Sequence, residues 1–221
     1  YIASPKMICT SRYSTLFASA WEGAPVICDF SMGDIVRYAP GRRPGWTQVL
    51  LPDGREAWAR SSDVAPLGEW AASRHPGEDA LVDFAKTLLG TPYMWGGCTP
   101  KYFDCSGFTK FVYLMNGILL PRNAREQIHC GVGVPFDFSR MRPGDLVFFG
   151  RKTSDGKIAS VTHVAMYIGD GRIIHSSQLV RVNSLRPGET DSYGRTPIAV
   201  RRILGHADRS RFTSFYYICN D

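Results

Sequence analysis

The sequence predicts an α+β unit over residues 71–221, preceded by a small all-β barrel over residues 1–70. Three observations carry that reading. Short apolar runs broken by Gly, Pro and Asp fill most of the first 70 residues. Next, Phe108, Phe111, Val112 and Met115 recur at helical spacing after a glycine-broken loop. Last, Thr162 to His175 reads as two apolar runs around Gly169-Asp170-Gly171, a β-hairpin. A helix cluster followed by antiparallel strands is α+β order.

In the first part, Met7 to Thr10, Pro25 to Phe30, Asp34 to Tyr38, Trp46 to Leu51 and Glu56 to Arg60 read as strands. Turns are expected at Gly33, from Pro40-Gly41 to Pro44-Gly45, and at Pro52-Asp53-Gly54. Many short strands argue a barrel, with Trp46 and Trp58 in its core. Gly68 to Gly77 is the expected boundary. Beyond it, Leu81, Phe84, Ala85 and Leu88 give a helical face closed by Gly90. Asp104 is an N-cap residue type, and Gly117 stops the helix that follows it. A capped helical turn is expected from Asn123. Pro143-Gly144-Asp145 turns into the strand Leu146 to Phe149, and residues 151–158 read as a surface loop. Val180 and Val182 alternate with polar residues as a strand, 187–197 reads as a loop, and Ile198 to Leu204 as a last strand.

With 221 residues, 44% of them hydrophobic, the chain is ordinary for a globular protein, and no apolar run reaches membrane-spanning length. The net charge of +6 suits an anionic polymer, yet the cations are scattered and no nucleic-acid motif accompanies them, so no nucleic-acid partner is expected. Of six cysteines none forms a C-x-x-C pair, so no metal or cofactor is expected. A zinc site from Cys105, His163 and His175 is the minor alternative, and Cys9 with Cys28 is the one disulfide considered. Tyr1 opens the chain without Met or a charged, apolar leader, which reads as a trimmed chain.

Cys105 falls in the first helical turn after Asp104, where unpaired backbone N–H groups and the helix dipole favour a thiolate. A pKa of roughly 3.5–7.5 is the expectation for such a thiol. If Gly169 to Gly171 form a three-residue loop, Ala165 pairs with His175. His163 then lies diagonal to His175 on the same face, a base beside its orienting partner. A two-residue loop would send the two histidines to opposite faces.

The blocks Tyr93-x-Trp95-Gly96-Gly97, Asp104-Cys105-Ser106-Gly107-Phe108, Arg142-Pro143-Gly144-Asp145-Leu146-Val147-Phe148-Phe149 and His163-Val164-Ala165-Met166-Tyr167-Ile168-Gly169-Asp170-Gly171 resemble the NlpC-type cysteine peptidases of bacterial cell-wall metabolism. More narrowly, they resemble γ-D-glutamyl-diamino acid endopeptidases of the dipeptidyl-peptidase VI type. The resemblance implies a papain-like domain in which Cys105 attacks, His163 moves the proton, His175 orients it and Tyr93 polarises the oxyanion. It implies a peptidoglycan stem peptide as partner and substrate, cut between γ-D-Glu and the diamino acid. Asp104 and Ser106 would hold a free N-terminal L-Ala amine, with Trp95 and Arg122 also in the binding set. The family often carries Arg-Asp-Ser after the Cys helix. Here Arg122-Asn123-Ala124 lacks the carboxylate and the hydroxyl. Gly33-Asp34-Ile35, Gly45-Trp46-Thr47-Gln48-Val49, Pro52-Asp53-Gly54-Arg55 and Ala57-Trp58 resemble the bacterial Src-homology-three-like domains that accompany such peptidases, which implies a barrel that walls the cleft or binds wall peptide. A monomer exported to the periplasm or the outside is expected, with a cytoplasmic recycling enzyme as alternative. An N-acetylmuramoyl-L-alanine amidase and a non-catalytic wall-binding protein are the competing functions.

Overall fold

The computed structural model describes residues 4–207 and 216–217. It divides into two compact units, Tyr1–Arg74 and His75–Asp221. The first holds seven strands: β1 (Lys6–Cys9), β2 (Tyr13–Phe17), β3 (Val26–Ser31), β4 (Ile35–Arg43), β5 (Trp46–Leu50), β6 (Glu56–Arg60) and β7 (Val64–Pro66). They form one antiparallel sheet in the order β3-β2-β6-β5-β4-β1-β7. All seven contribute to a single buried cluster that includes Met7, Leu16, Phe30, Val36, Val49, Ala57 and Val64. A flat sheet cannot line one core with every strand, so this sheet curls around it. Its end strands β3 and β7 do not pair with each other among the described residues.

Three local expectations change here. Ala57 and Ala59 point into the core, so strand parity turns Trp58 outward, half-buried like Trp46. The strand β4 runs on through Pro40-Gly41 with a register shift, leaving only Pro44-Gly45 as the turn. Cys9 and Cys28 are free thiols, because they sit on β1 and β3, which do not pair. Burial pushes the Cys9 thiol up to about 12. Helix α1 (Leu67–Ala72) follows β7 and buries Trp70 and Ala71.

The second unit opens with α2 (Glu78–Thr87), which buries Leu81, Val82 and Ala85. A ribbon of β8 (Cys98–Thr99) and β9 (Tyr102–Phe103) leads into α3 (Cys105–Met115). Then come β10 (Ile118–Leu119), α4 (Ala124–Gln127), β11 (Val132–Val134), β12 (Leu146–Lys152), β13 (Ile158–Gly169), β14 (Arg172–Ser177), β15 (Leu179–Ser184) and β16 (Pro197–Arg202). Six of these form an antiparallel sheet in the order β11-β16-β12-β13-β14-β15. The short β10 pairs in parallel with Tyr216–Tyr217. The loop expected over 151–158 shrinks, because Lys152 still pairs with Ile158 across β12 and β13. Among the described residues no helix is long and apolar enough to cross a membrane.

Helix α3 starts and stops where its sequence directs. The Asp104 carboxylate accepts from the Gly107 N–H at 2.7 Å, and Gly117 adopts φ 88° just past the end. Phe108, Phe111, Val112 and Met115 are all buried, and Phe103 packs on Phe108 and Phe111 with ring centroids 5.8 and 5.2 Å away. The first turn of α3 is pressed against the Gly96-Gly97 loop. A Cβ on Gly107 would stand 2.0 Å from the Gly97 carbonyl oxygen, and backbone cannot yield as a side chain can. Gly107→Ala should therefore lower stability by about 1–3 kcal/mol, read as a lower urea midpoint at unchanged slope. An unchanged midpoint would show that the loop moves away freely.

Candidate active site

Cys105 is the first residue of α3 and is half-buried. The backbone N–H groups of Val164 on β13, of Ser106 and of Cys105 itself lie close enough to its sulfur to favour the thiolate. The residue before Val164 is His163, so the helix start and the middle of β13 meet at this point. Asp104 anchors the helix start from the other side. Its carboxylate accepts from Gly107 N at 2.7 Å, Gly96 N at 3.0 Å and Ser106 Oγ at 3.2 Å. Arg122 donates to both of its oxygens, at 3.1 and 2.6 Å, and also to Ser106 Oγ at 3.2 Å. Burial works against the charged carboxylate, yet the Arg122 guanidinium and the two backbone N–H groups hold its pKa below the usual carboxylate range.

Both histidines are buried. His163 Nε2 lies 2.7 Å from His175 Nδ1. They reach the same side by a route that differs from the expected one. Gly169 pairs with Arg172, which leaves a two-residue turn of Asp170 (φ 51°) and Gly171 (φ 73°). That turn alone would reverse the parity. A register shift between Tyr167 and Gly169, with Ile168 as the extra residue, restores it, so that Tyr167 pairs with Ile173 and Met166 with Ile174. The two errors in register cancel, and the imidazoles meet.

Burial sets the charge state of this cluster. It lowers His163 to about 3, with the charges of His175 and Arg195 acting in the same direction. Burial also lowers His175 to about 4, against the opposing hydrogen bond to Asn183. For Cys105, burial raises the thiol pKa and outweighs the lowering by the N–H groups around it. The expected standing thiolate is thus replaced by a neutral thiol beside neutral imidazoles. Taking the sulfur out of water costs more than the helix dipole and three N–H groups return.

A cleft of about 420 Å³ opens over Cys105. Its walls include Tyr93, Trp95, Asp104, Ser106, Arg122 and Arg125. Tyr93 is 38% exposed and Trp95 86%. Burial raises the Tyr93 phenol, and the nearby Asp104 charge raises it further, so it faces the cleft as a neutral O–H donor. Six of the eight residues singled out from the sequence line this cleft, and the other two, His163 and His175, form the buried pair whose first member follows the lining residue Thr162 on β13. His75, His129 and His206 are exposed elsewhere.

Three residues here carried no sequence signal. Asn183 Oδ1 lies 2.9 Å from His175 Nε2 and accepts from Arg181 Nε at 2.8 Å. Tyr193 packs on both imidazoles, with centroids 5.3 Å from His163 and 4.7 Å from His175, and on Phe149 at 4.9 Å. Arg125, in the short α4, lines the cleft. Asn183 would have been visible only with the pairing of β14 and β15 in hand.

The sequence pattern of the NlpC/P60 family matches residues 90–197. A Bacillus cereus protein named gamma-D-glutamyl-L-lysine dipeptidyl-peptidase is 40% identical over 157 residues, which are 71% of this chain and 46% of that one. A Bacillus subtilis gamma-DL-glutamyl hydrolase is 38% identical over 126 residues, 57% of this chain and 30% of that one. Among solved structures, an NlpC/P60 family protein from Bacillus cereus superposes with a TM-score of 0.71 at 32% identity, covering 92% of this chain and 64% of that one. The chain thus spans less than half the length of these two curated relatives.

The neutral thiol has a kinetic signature. Alkylation of Cys105 by iodoacetamide, followed by peptide mass mapping, should keep accelerating up to and beyond about pH 8.5, the ordinary thiol pKa. A rate plateau beginning below about pH 7 would instead mark a standing thiolate.

Proposed function

Because this chain belongs to the NlpC/P60 family, we propose that it is a cysteine endopeptidase that hydrolyses the γ-D-Glu–diamino acid amide bond of peptidoglycan stem peptides. The observation that supports this most is a half-buried thiol at a helix start that lines a polar cleft and lies by the backbone of Val164, next in sequence to one of a hydrogen-bonded pair of buried imidazoles. In this reading the Cys105 sulfur attacks the scissile carbonyl as His163 takes the thiol proton. The developing oxyanion takes the Cys105 N–H and the Tyr93 hydroxyl. His163 then delivers its proton to the leaving amine of the diamino acid, and water, deprotonated by the same imidazole, releases the γ-glutamyl acyl group. His175 keeps His163 oriented throughout.

The cleft lining supports the substrate class. A γ-linked D-Glu carries a free α-carboxylate at the other end of the residue whose carbonyl is attacked, and Arg125 offers it a cation at the wall. Asp104 and Ser106 would face the peptide's free N-terminal amine, and Trp95 would cover its chain. Arg122, committed to Asp104 by two hydrogen bonds, acts by holding that carboxylate in place. The two relatives' names add γ-glutamyl linkages in general and L-Lys as third residue in particular. Such a substrate agrees with an enzyme exported to where wall peptides occur.

The test is mass spectrometry on L-Ala-γ-D-Glu-L-Lys beside the same peptide N-acetylated. Free Lys should appear faster from the first peptide, and Cys105→Ala should cut that rate by about 10³-fold or more. Equal rates on both peptides would discard the amine contact of Asp104 and Ser106. No cleavage of either would sink the endopeptidase reading and favour the muramoyl-peptide amidase.

A further inference from the structure

The histidine pair does not end at His175. His175 pairs with Arg181 across β14 and β15, and Asn183 is two residues further along, on the same face. Its amide can be oriented from chemistry alone. Asn183 Oδ1 is 2.8 Å from Arg181 Nε, a group that only donates, and Nδ2 is 2.6 Å from the Asp191 carbonyl oxygen, which only accepts. Flipping the amide would set N–H against N–H and oxygen against oxygen, so the oxygen faces His175. At 2.9 Å from that oxygen, His175 Nε2 must carry a hydrogen. A neutral His175 then has only a lone pair on Nδ1, and His163 Nε2, 2.7 Å away, must supply the hydrogen between the rings. That leaves His163 Nδ1 as its one nitrogen able to accept the Cys105 proton.

We propose that Asn183, locked by Arg181 and the Asp191 carbonyl, is a positioning residue that sets the tautomer of both imidazoles and thereby leaves the base's lone pair on His163 Nδ1. The inference builds on the thiol–imidazole chemistry proposed above but needs no particular substrate. Without the amide oxygen the opposite arrangement becomes the cheaper one. His175 would donate from Nδ1 to His163 Nε2 and present a bare Nε2 to the Arg181 guanidinium, rather than bury an unpaired N–H. His163 would then meet the thiol with an N–H and could not act as its base.

Long-range proton–nitrogen correlation spectra of the full chain with labelled histidine at neutral pH read the tautomers directly. In the wild type both His163 and His175 should carry hydrogen on Nε2. Asn183→Leu should move the hydrogen of His163 to Nδ1. It should also slow Cys105 alkylation and kcat/KM by about 10–100-fold, with KM little changed. Asn183→Asp, which still accepts from both donors, should restore the wild-type tautomers. A wild-type spectrum with the hydrogen on His163 Nδ1 overturns the proposal, whether or not any variant folds. So does a folded Asn183→Leu that keeps both the wild-type tautomers and the alkylation rate. If every wall peptide resists the wild type while the tautomers and the alkylation rate shift as described, the proposal stands and the substrate reading falls.

Discussion

The parity of one hairpin is the constraint on which the site depends. A strand shows alternate residues to alternate faces, so one residue of slip between β13 and β14 would separate His163 from His175 by the thickness of the sheet. The tight Asp170-Gly171 turn makes that slip, and the extra residue at Ile168 undoes it. The same parity carries on to β15, where Arg181 and Asn183 fall on the face of His175. Three neighbouring strands thereby place a line of polar groups beneath the cleft, among Phe149 and Tyr193. A bulge in this place is a device for aiming a side chain.

Burying that line has a price in charge. Neither imidazole can hold a proton until the pH falls far below the usual histidine range, because burial penalises the cation. In the unfolded chain both would protonate near pH 6.5. The unfolded state therefore binds more protons between that pH and the depressed native values, and the pair loses native stability as pH falls through this window. What is obtained in return is a base that is unprotonated across the whole neutral range. The thiol follows the same logic from the other side, since burial raises its pKa. Tyr193 lies against both rings, tilted to His163 and edge-on to His175.

Local chemistry was legible in the sequence, and non-local geometry was not. The helix α3 is specified by neighbours alone: Asp104 before it, an apolar stripe along it and Gly117 after it, so its bounds could be read directly. The place of Cys105 in its first turn followed. The charge state of Cys105 did not, because burial arises from β13 and the rest of the unit, and no local signal reports it. The two histidines were expected on one face through a three-residue loop. The outcome held while the route did not, since a bulge changes register without changing composition. Trp58 illustrates the same limit in the first unit. Its neighbours Ala57 and Ala59 are too small to announce the inward face, and only the assembled sheet shows that they take it. Asn183 and Tyr193 join the site by strand pairing and by a loop return, neither of which leaves a periodic trace.

Asp104 shows how one side chain can serve folding and chemistry without conflict. A carboxylate directly before Cys105 caps α3, but its negative charge opposes ionisation of that thiol. Arg122 resolves the opposition by pairing with both carboxylate oxygens at the cleft wall. Such a partly buried pair contributes little to stability in itself, because desolvation offsets the attraction. Its value lies in electrical balance, since the cap is retained while its field at the sulfur is reduced. The residues in which this chain departs from Arg-Asp-Ser, Asn123 and Ala124, take no part in that pairing. Asn123 instead donates its backbone N–H to Glu126 at the start of α4. The departure therefore leaves the Asp104–Arg122 pair intact and falls at the cleft wall, which Asn123, Ala124 and Arg125 line.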